Sequence, residues 1–176
     1  MNNKCVLAFS GGLDTSYCAR YLQQEKGLEI HSVIVNTGGF TKSELDTIES
    51  KAYELGVHSH TAIDTVYDFY NNGIKYLIYG NVLRNGNYPL SVSAERVFQA
   101  QAIVEYAKNI GAKYIAHGST GAGNDQVRFD MIFQVLYPEA EIITPIRDMQ
   151  LSRAQEVEYL QANGIEMNWD KAKYSI

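Results

Sequence analysis

Two glycines followed by two hydroxyl residues, in Ser10-Gly11-Gly12-Leu13-Asp14-Thr15-Ser16, make this the stretch of the 176-residue chain best suited to hold an anion. Glycines let the backbone turn without a Cβ, and the N–H groups freed by the turn and by the start of a helix point outward. The helix dipole adds positive potential at the same place, and Ser10, Thr15 and Ser16 bring hydroxyl donors. A phosphate suits that arrangement. It is not a Walker A loop, which has four residues between its glycines and a Lys before the Ser or Thr. Taken alone, the segment is also what a capped helix after a tight turn looks like.

Two further segments carry polar groups at suggestive spacing. His117-Gly118-Ser119-Thr120-Gly121-Ala122-Gly123-Asn124-Asp125 leads into Gln126-Val127-Arg128-Phe129-Asp130, and Tyr88-Pro89-Leu90-Ser91-Val92-Ser93 leads into Ala94-Glu95-Arg96. Arg128 offers a fork for a carboxylate, Asp125 can accept from an ammonium, and Thr120 and Asn124 offer neutral hydrogen bonds. The bland alternatives are a helix cap at Asn124-Asp125 with Arg128 on a solvated face, and turn chemistry at Tyr88-Pro89 with Ser93 as a cap and Arg96 paired locally. His31, His58 and His60 have no ligand-like partner nearby in sequence, so structural or surface roles are expected for them. His117 stands at a strand end beside the glycines, where a backbone hydrogen bond accounts for it. Cys5 and Cys18 read as packing residues.

The elements that must position these groups alternate. Strands are expected at Lys4 to Phe9, Glu29 to Asn36, His60 to Ile63, Tyr114 to Ala116 and Glu141 to Thr144. Helices are expected from Thr15 to Gln24, Ser43 to Leu55, Ser93 to Ile110, Asp125 to Leu136, and from Ser152 as cap to Asn163 with Gly164 as stop. Between the third strand and Arg84 lies a tyrosine-rich helical region whose stripe of Tyr67, Tyr70, Ile74 and Leu77 is expected to pack into the core. Arg84 to Pro89 reads as a functional loop. Such alternation calls for an α/β fold, a doubly wound parallel sheet of about five strands with helices on both faces. Ligands of such sheets bind beyond the carboxyl ends of the strands, so the loops after the first, second and fourth strands are expected to share one site.

With these segments in hand, the chain resembles the argininosuccinate synthase family. The Ser10 loop is similar to that of the PP-loop ATP pyrophosphatases, an adenine nucleotide alpha hydrolase-like fold, and its Leu-Asp-Thr-Ser ending is that family's. The Tyr88 and His117 segments resemble its citrulline loop and its most distinctive stretch. The resemblance implies a carbon–nitrogen ligase of arginine biosynthesis that condenses citrulline with aspartate, using ATP with Mg²⁺ and releasing AMP and pyrophosphate through a citrullyl-adenylate. It implies ATP contacts at Ala8, Phe9, Ser10, Gly11, Gly12, Leu13, Asp14, Thr15, Ser16, Val35 and Gly118. Citrulline contacts are implied at Tyr88, Ser93, Asn124 and Arg128, and aspartate contacts at Thr120, Asn124 and Asp125. Asp14 can orient the loop or approach the metal, but no direct protein ligand to a metal and no catalytic residue is assigned. Residues 1–165 are expected to form the ATP-binding domain and 166–176 to begin a linker into a synthetase domain that this sequence lacks, so the isolated chain is expected to bind ATP weakly and turn over little. The full-length family member is expected to be a homotetramer.

Three positions depart from the family's usual pattern. Ala122 stands where Lys is usual, Val97 where Pro follows the citrulline-loop Arg, and Gly39 where Gln follows the second strand. They mark a divergent, bacterial-type branch, with an N-acylated citrulline as a substrate variant. The alternatives are a non-catalytic ATP-binding module and another PP-loop adenylating enzyme, such as a tRNA-modifying one.

Composition narrows the field. Fifteen basic residues against 20 acidic ones give a net charge of −5, which disfavours a nucleic-acid partner. The first apolar stretch, Cys5 to Phe9, is too short for a signal-peptide core or membrane span, and two cysteines fit a reduced, cytoplasmic compartment.

Overall fold

The structure, a computed structural model, describes residues 2–166. Except for Glu166, the expected linker start lies outside the described residues. Five parallel strands form one sheet in the order β3-β2-β1-β6-β7. These are β1 (Lys4–Ala8), β2 (Glu29–Asn36), β3 (Ser59–Asp64), β6 (Tyr114–Ala116) and β7 (Glu141–Ile143). A separate hairpin pairs β4 (Leu83–Arg84) with β5 (Tyr88–Pro89). The helices are α1 (Leu13–Gln24), α2 (Lys42–Glu54), α3 (Val66–Phe69), α4 (Lys75–Tyr79), α5 (Ser91–Asn109), α6 (Asp125–Leu136), α7 (Pro145–Met149) and α8 (Arg153–Ala162).

The apolar run of β1 is continuous because both of its faces are covered. Cys5 and Leu7 turn to one face with Ile30 and Ile34, where α1, α2, α7 and α8 pack through Leu22, Ala52, Ile146 and Leu160. Val6 and Ala8 turn to the other with Val33, Val35 and Ile115, covered by Ile103 and Val104 of α5 and Phe129 and Phe133 of α6. Both cysteines are fully buried, and burial pushes their thiols up, in keeping with packing roles. Capping boxes start α2 at Thr41 and Glu44 and α8 at Ser152 and Gln155. Among the described residues no helix is long and apolar enough to cross a membrane.

The tyrosine-rich region packs only in part as its stripe predicts. A π turn at Tyr70–Ile74 interrupts the helix between α3 and α4, and the widened turn carries one more residue than an α turn. At its end and beyond it, Ile74 and Leu77 are partly buried. Tyr67 is 79% exposed and Tyr70 52%, while Phe69 is buried against the Phe98 ring at 5.3 Å. Gly73 permits that packing, since a Cβ there would lie 3.0 Å from Phe98. Pro145 occupies the first turn of α7, where its missing N–H is harmless.

Candidate functional site

The phosphate loop hangs between β1 and α1. Gly11 sits at φ +72°, in the left-handed region, and Gly12 is the N-cap of α1 and offers no side-chain cap. Within the loop the Ser10 Oγ lies 3.3 Å from the Thr15 Oγ1 and accepts from the Gly12 N–H at 3.4 Å, while the Thr15 hydroxyl also reaches the Gly12 carbonyl at 3.3 Å. The Ser16 hydroxyl is different: it is buried and has no protein partner. Ser119 repeats the pattern from the loop after β6. Two orphaned buried hydroxyls fit a polar ligand carrying many acceptors. Phe9 and Leu13 bury their side chains in the core, which leaves their backbone for any ligand contact.

The two loops meet at Gly118. A Cβ on it would lie 3.2 Å from the Asp14 carbonyl carbon and from the Thr15 nitrogen, so only glycine lets the backbones approach this closely. His117 anchors the same segment. Its Nδ1 accepts from the Ser119 N–H at 3.2 Å, the expected backbone bond, and its Nε2 bonds the Asp130 carboxylate at 2.9 Å. Arg147 of α7 donates to the other Asp130 oxygen at 2.6 Å. Partial burial alone would raise the Asp130 carboxyl, but the bonds from His117 and Arg147 outweigh it and hold the group low.

Behind the phosphate loop, Glu156 of α8 is 3% exposed and faces Asp14. Burial, then the Asp14 charge and the hydrogen bond between the carboxyls, push Glu156 up to about 8. Near neutral pH it therefore keeps its proton. The sequence signal is faint, because one carboxylate on a polar helix resembles any solvated residue.

Beside these loops, a cavity of about 390 Å³ is lined by Arg84, Asn85, Tyr88, Val92, Ser93, Asn124, Asp125 and Arg128. Segments far apart in sequence converge there. Arg128 donates to Asp125 at 2.7 Å and to the Ser93 hydroxyl at 3.0 Å, so it is tied into the wall instead of lying on a solvated face. Arg96 reaches Asp125 at 3.2 Å and Gln99 at 3.1 Å, which makes its pairing more than local. Gln99 donates to Glu95 at 3.3 Å, and the Thr37 hydroxyl donates to Glu95 at 2.6 Å. The chain of bonds thus runs from the loop after β2 to the cavity. Ser93 lies inside α5, whose N-cap is Leu90. Thr120 is exposed and is not among the lining residues. Ala8 and Val35 line a small separate pocket with Gln99, Ile103 and Phe129. Glu95, Gln99, Asp130 and Arg147 were not singled out from the sequence; the one-turn spacing of Glu95 and Gln99 on α5 is the signal that could have found that pair.

Comparison with known proteins now decides the family. Residues 4–166 match the family model described as the arginosuccinate synthase N-terminal HUP domain. The chain belongs to the argininosuccinate synthase family. It is 44% identical to the argininosuccinate synthase of Sulfurisphaera tokodaii over 173 residues, covering 98% of this chain and 44% of that protein. It is 42% identical to that of Methanocaldococcus jannaschii over 176 residues, covering 100% and 44%. It is 41% identical to that of Xanthomonas axonopodis pv. citri over 175 residues, covering 97% and 42%. The chain therefore spans less than half the length of these argininosuccinate synthases. The five-stranded parallel sheet agrees with the HUP-type α/β fold of the family.

Proposed function

We propose that this chain is the nucleotide-binding part of an ATP-dependent ligase that joins citrulline to aspartate. In this reading the citrulline ureido oxygen attacks the α-phosphorus of ATP, and the bond to the β-phosphate oxygen breaks to release pyrophosphate. The aspartate amine then attacks the ureido carbon of the citrullyl-adenylate, and AMP departs with the oxygen.

The observation that carries the reading is the cavity, because Tyr88, Ser93, Asn124, Asp125 and Arg128 line it together. Two amino-acid zwitterions need partners of both signs, and this wall offers a guanidinium and a carboxylate already oriented against each other. Tyr88, Ser93, Asn124 and Arg128 would hold citrulline, and Asn124 and Asp125 would hold aspartate, with Thr120 contributing from outside the cavity. Ala8 and Phe9 would lead into the phosphate loop, with Gly11, Gly12, Leu13 and Asp14 giving backbone and Ser10, Thr15 and Ser16 giving hydroxyls. Val35 and Gly118 would complete the nucleotide contacts. When bound, Mg²⁺ would offset charge on the leaving pyrophosphate, its oxygen ligands coming chiefly from phosphates and water. The residues fit that use: the loop offers hydroxyls and a single carboxylate, Asp14, and no built cage. Rate enhancement would come from positioning and charge stabilisation.

Calorimetry tests the nucleotide half of the proposal. Mg–ATP is expected to bind the chain more tightly than ADP or AMP, since the loop is built for the terminal phosphates. Equal affinity for the three, or no binding of any, would overturn it.

A further inference from the structure

The starting ends of β2 and β3 bring together a group of side chains that the phosphate loop and cavity do not use. Glu29 and Asn36 bound the eight residues of β2, so this end lies roughly 23 Å from the loop side of the sheet at 3.3 Å per residue. The Nε2 of His31 is 3.0 Å from one Glu29 oxygen, and the Nδ1 of His58 is 4.0 Å from the other. All three ligating atoms lie within 4.8 Å of one another. Sequence spacing conceals this, because His58 arrives through the parallel pairing of His31 with Ser59.

We propose that Glu29, His31 and His58 form a zinc site, with water completing a four-coordinate shell. Zinc–ligand bonds of 2.0–2.2 Å arranged tetrahedrally set neighbouring ligand atoms about 3.3 Å apart. His31 already meets one Glu29 oxygen at 3.0 Å, His58 stands 4.0 Å from the other, and the three ligand atoms lie within 4.8 Å, so the exposed His58 has to close the remaining distance on one shared oxygen. Two imidazoles and one carboxylate form a donor set that suits zinc better than magnesium or calcium.

A second observation supports the site independently of the cluster itself. The His31 ring is buried, and its Nδ1 lies 2.8 Å from the Ser59 hydroxyl. That partner fixes the ring with Nε2 turned to Glu29; a bound ion would take the place of the Nε2 proton, with Nδ1–H then donating to Ser59, as outer-shell partners of metal-binding histidines do. The Lys4 ammonium, which also acts on Glu29, is turned to the Ile110 carbonyl at 3.3 Å. The ion would clamp β2 to the edge strand β3. Its role is structural, far from the proposed chemistry.

The test uses the untagged chain, zinc chloride and no nucleotide, so its result is independent of the ligase reading. Calorimetry is expected to show one equivalent of zinc bound, and cobalt(II) to give the visible bands of a four-coordinate site. With free zinc at a hundred times its Kd, the Tm is expected to rise by about 5–10 °C. His58→Ala, at an exposed position, and the near-isosteric Glu29→Gln are each expected to weaken zinc binding at least tenfold and to remove the rise in Tm. No uptake by the wild-type chain, or less than a tenfold loss in both variants, overturns the proposal.

Discussion

Gly118 illustrates how much a single hydrogen can matter. Its backbone passes so close to Asp14 and Thr15 that an added methyl would meet three atoms at 3.2 Å, two of them backbone. Backbone cannot rotate aside as a flexible side chain can, so the two loops must separate by a few tenths of an ångström. Gly118→Ala is therefore expected to weaken Mg–ATP binding about tenfold, a change of about 1.4 kcal/mol, while shifting the Tm by only a few degrees. Unchanged affinity in calorimetry would show that the contact between the loops does not shape the nucleotide site. Ser16 and Ser119 tell the complementary story, since a bound ligand would give two buried hydroxyls the partners they lack.

At the scale of elements, α8 docks on α1 and brings Glu156 against Asp14. A carboxyl raised in the folded state above its unfolded value contributes stability below the unfolded pKa, and that contribution is lost as pH rises through the folded pKa. For Glu156 the window runs from about 4.5 to about 8. Glu156→Gln keeps a donor for Asp14 and cannot ionise, so the variant is expected to match the wild type near pH 5 and to exceed it by a few kcal/mol, on the order of 2–4, at pH 9. Thermal melts across that range check it, and parallel curves would refute the raised Glu156 carboxyl. Little of this pair was legible in the sequence, because it depends on how two helices far apart in the chain pack. The strands were legible: β2 and β6 fall where their residues place them, since an apolar run between turn signals has few alternatives. The helix α6 is equally plain. The region after β3 was legible only in part, because a periodic stripe does not say which of its residues the core will cover. In the cavity, Tyr88, Ser93, Asn124, Asp125 and Arg128 come together, yet the network through Thr37, Glu95 and Arg96 exists only once α5 lies beside the loop after β2.

Taken as a whole, the molecule carries its apolar surface unevenly. Tyr67, Tyr76, Ile78 and Tyr79 are 79%, 59%, 63% and 81% exposed and crowd onto the α3 to α4 segment, with the half-exposed Tyr88 of the hairpin beyond it in sequence. Scattered exposed apolar residues are ordinary, but four on one short segment are enough to seat an apolar probe. The folded chain is accordingly expected to bind an apolar-surface dye, and Ile78→Ser combined with Tyr79→Ser to reduce the fluorescence without lowering the Tm. A signal that appears only on unfolding would disprove the patch. The strand order has a consequence in time as well as in space. β1 lies mid-sheet, with β2 following it directly in the chain and β6 arriving only after α5 has been made, since Cys5 pairs with Tyr114. Contacts between such distant segments form slowly. A nascent chain therefore exposes Ser10 to Ser16 well before Gly118 can close over them, and any ligand that recognises only the finished loop draws the last step of folding forward.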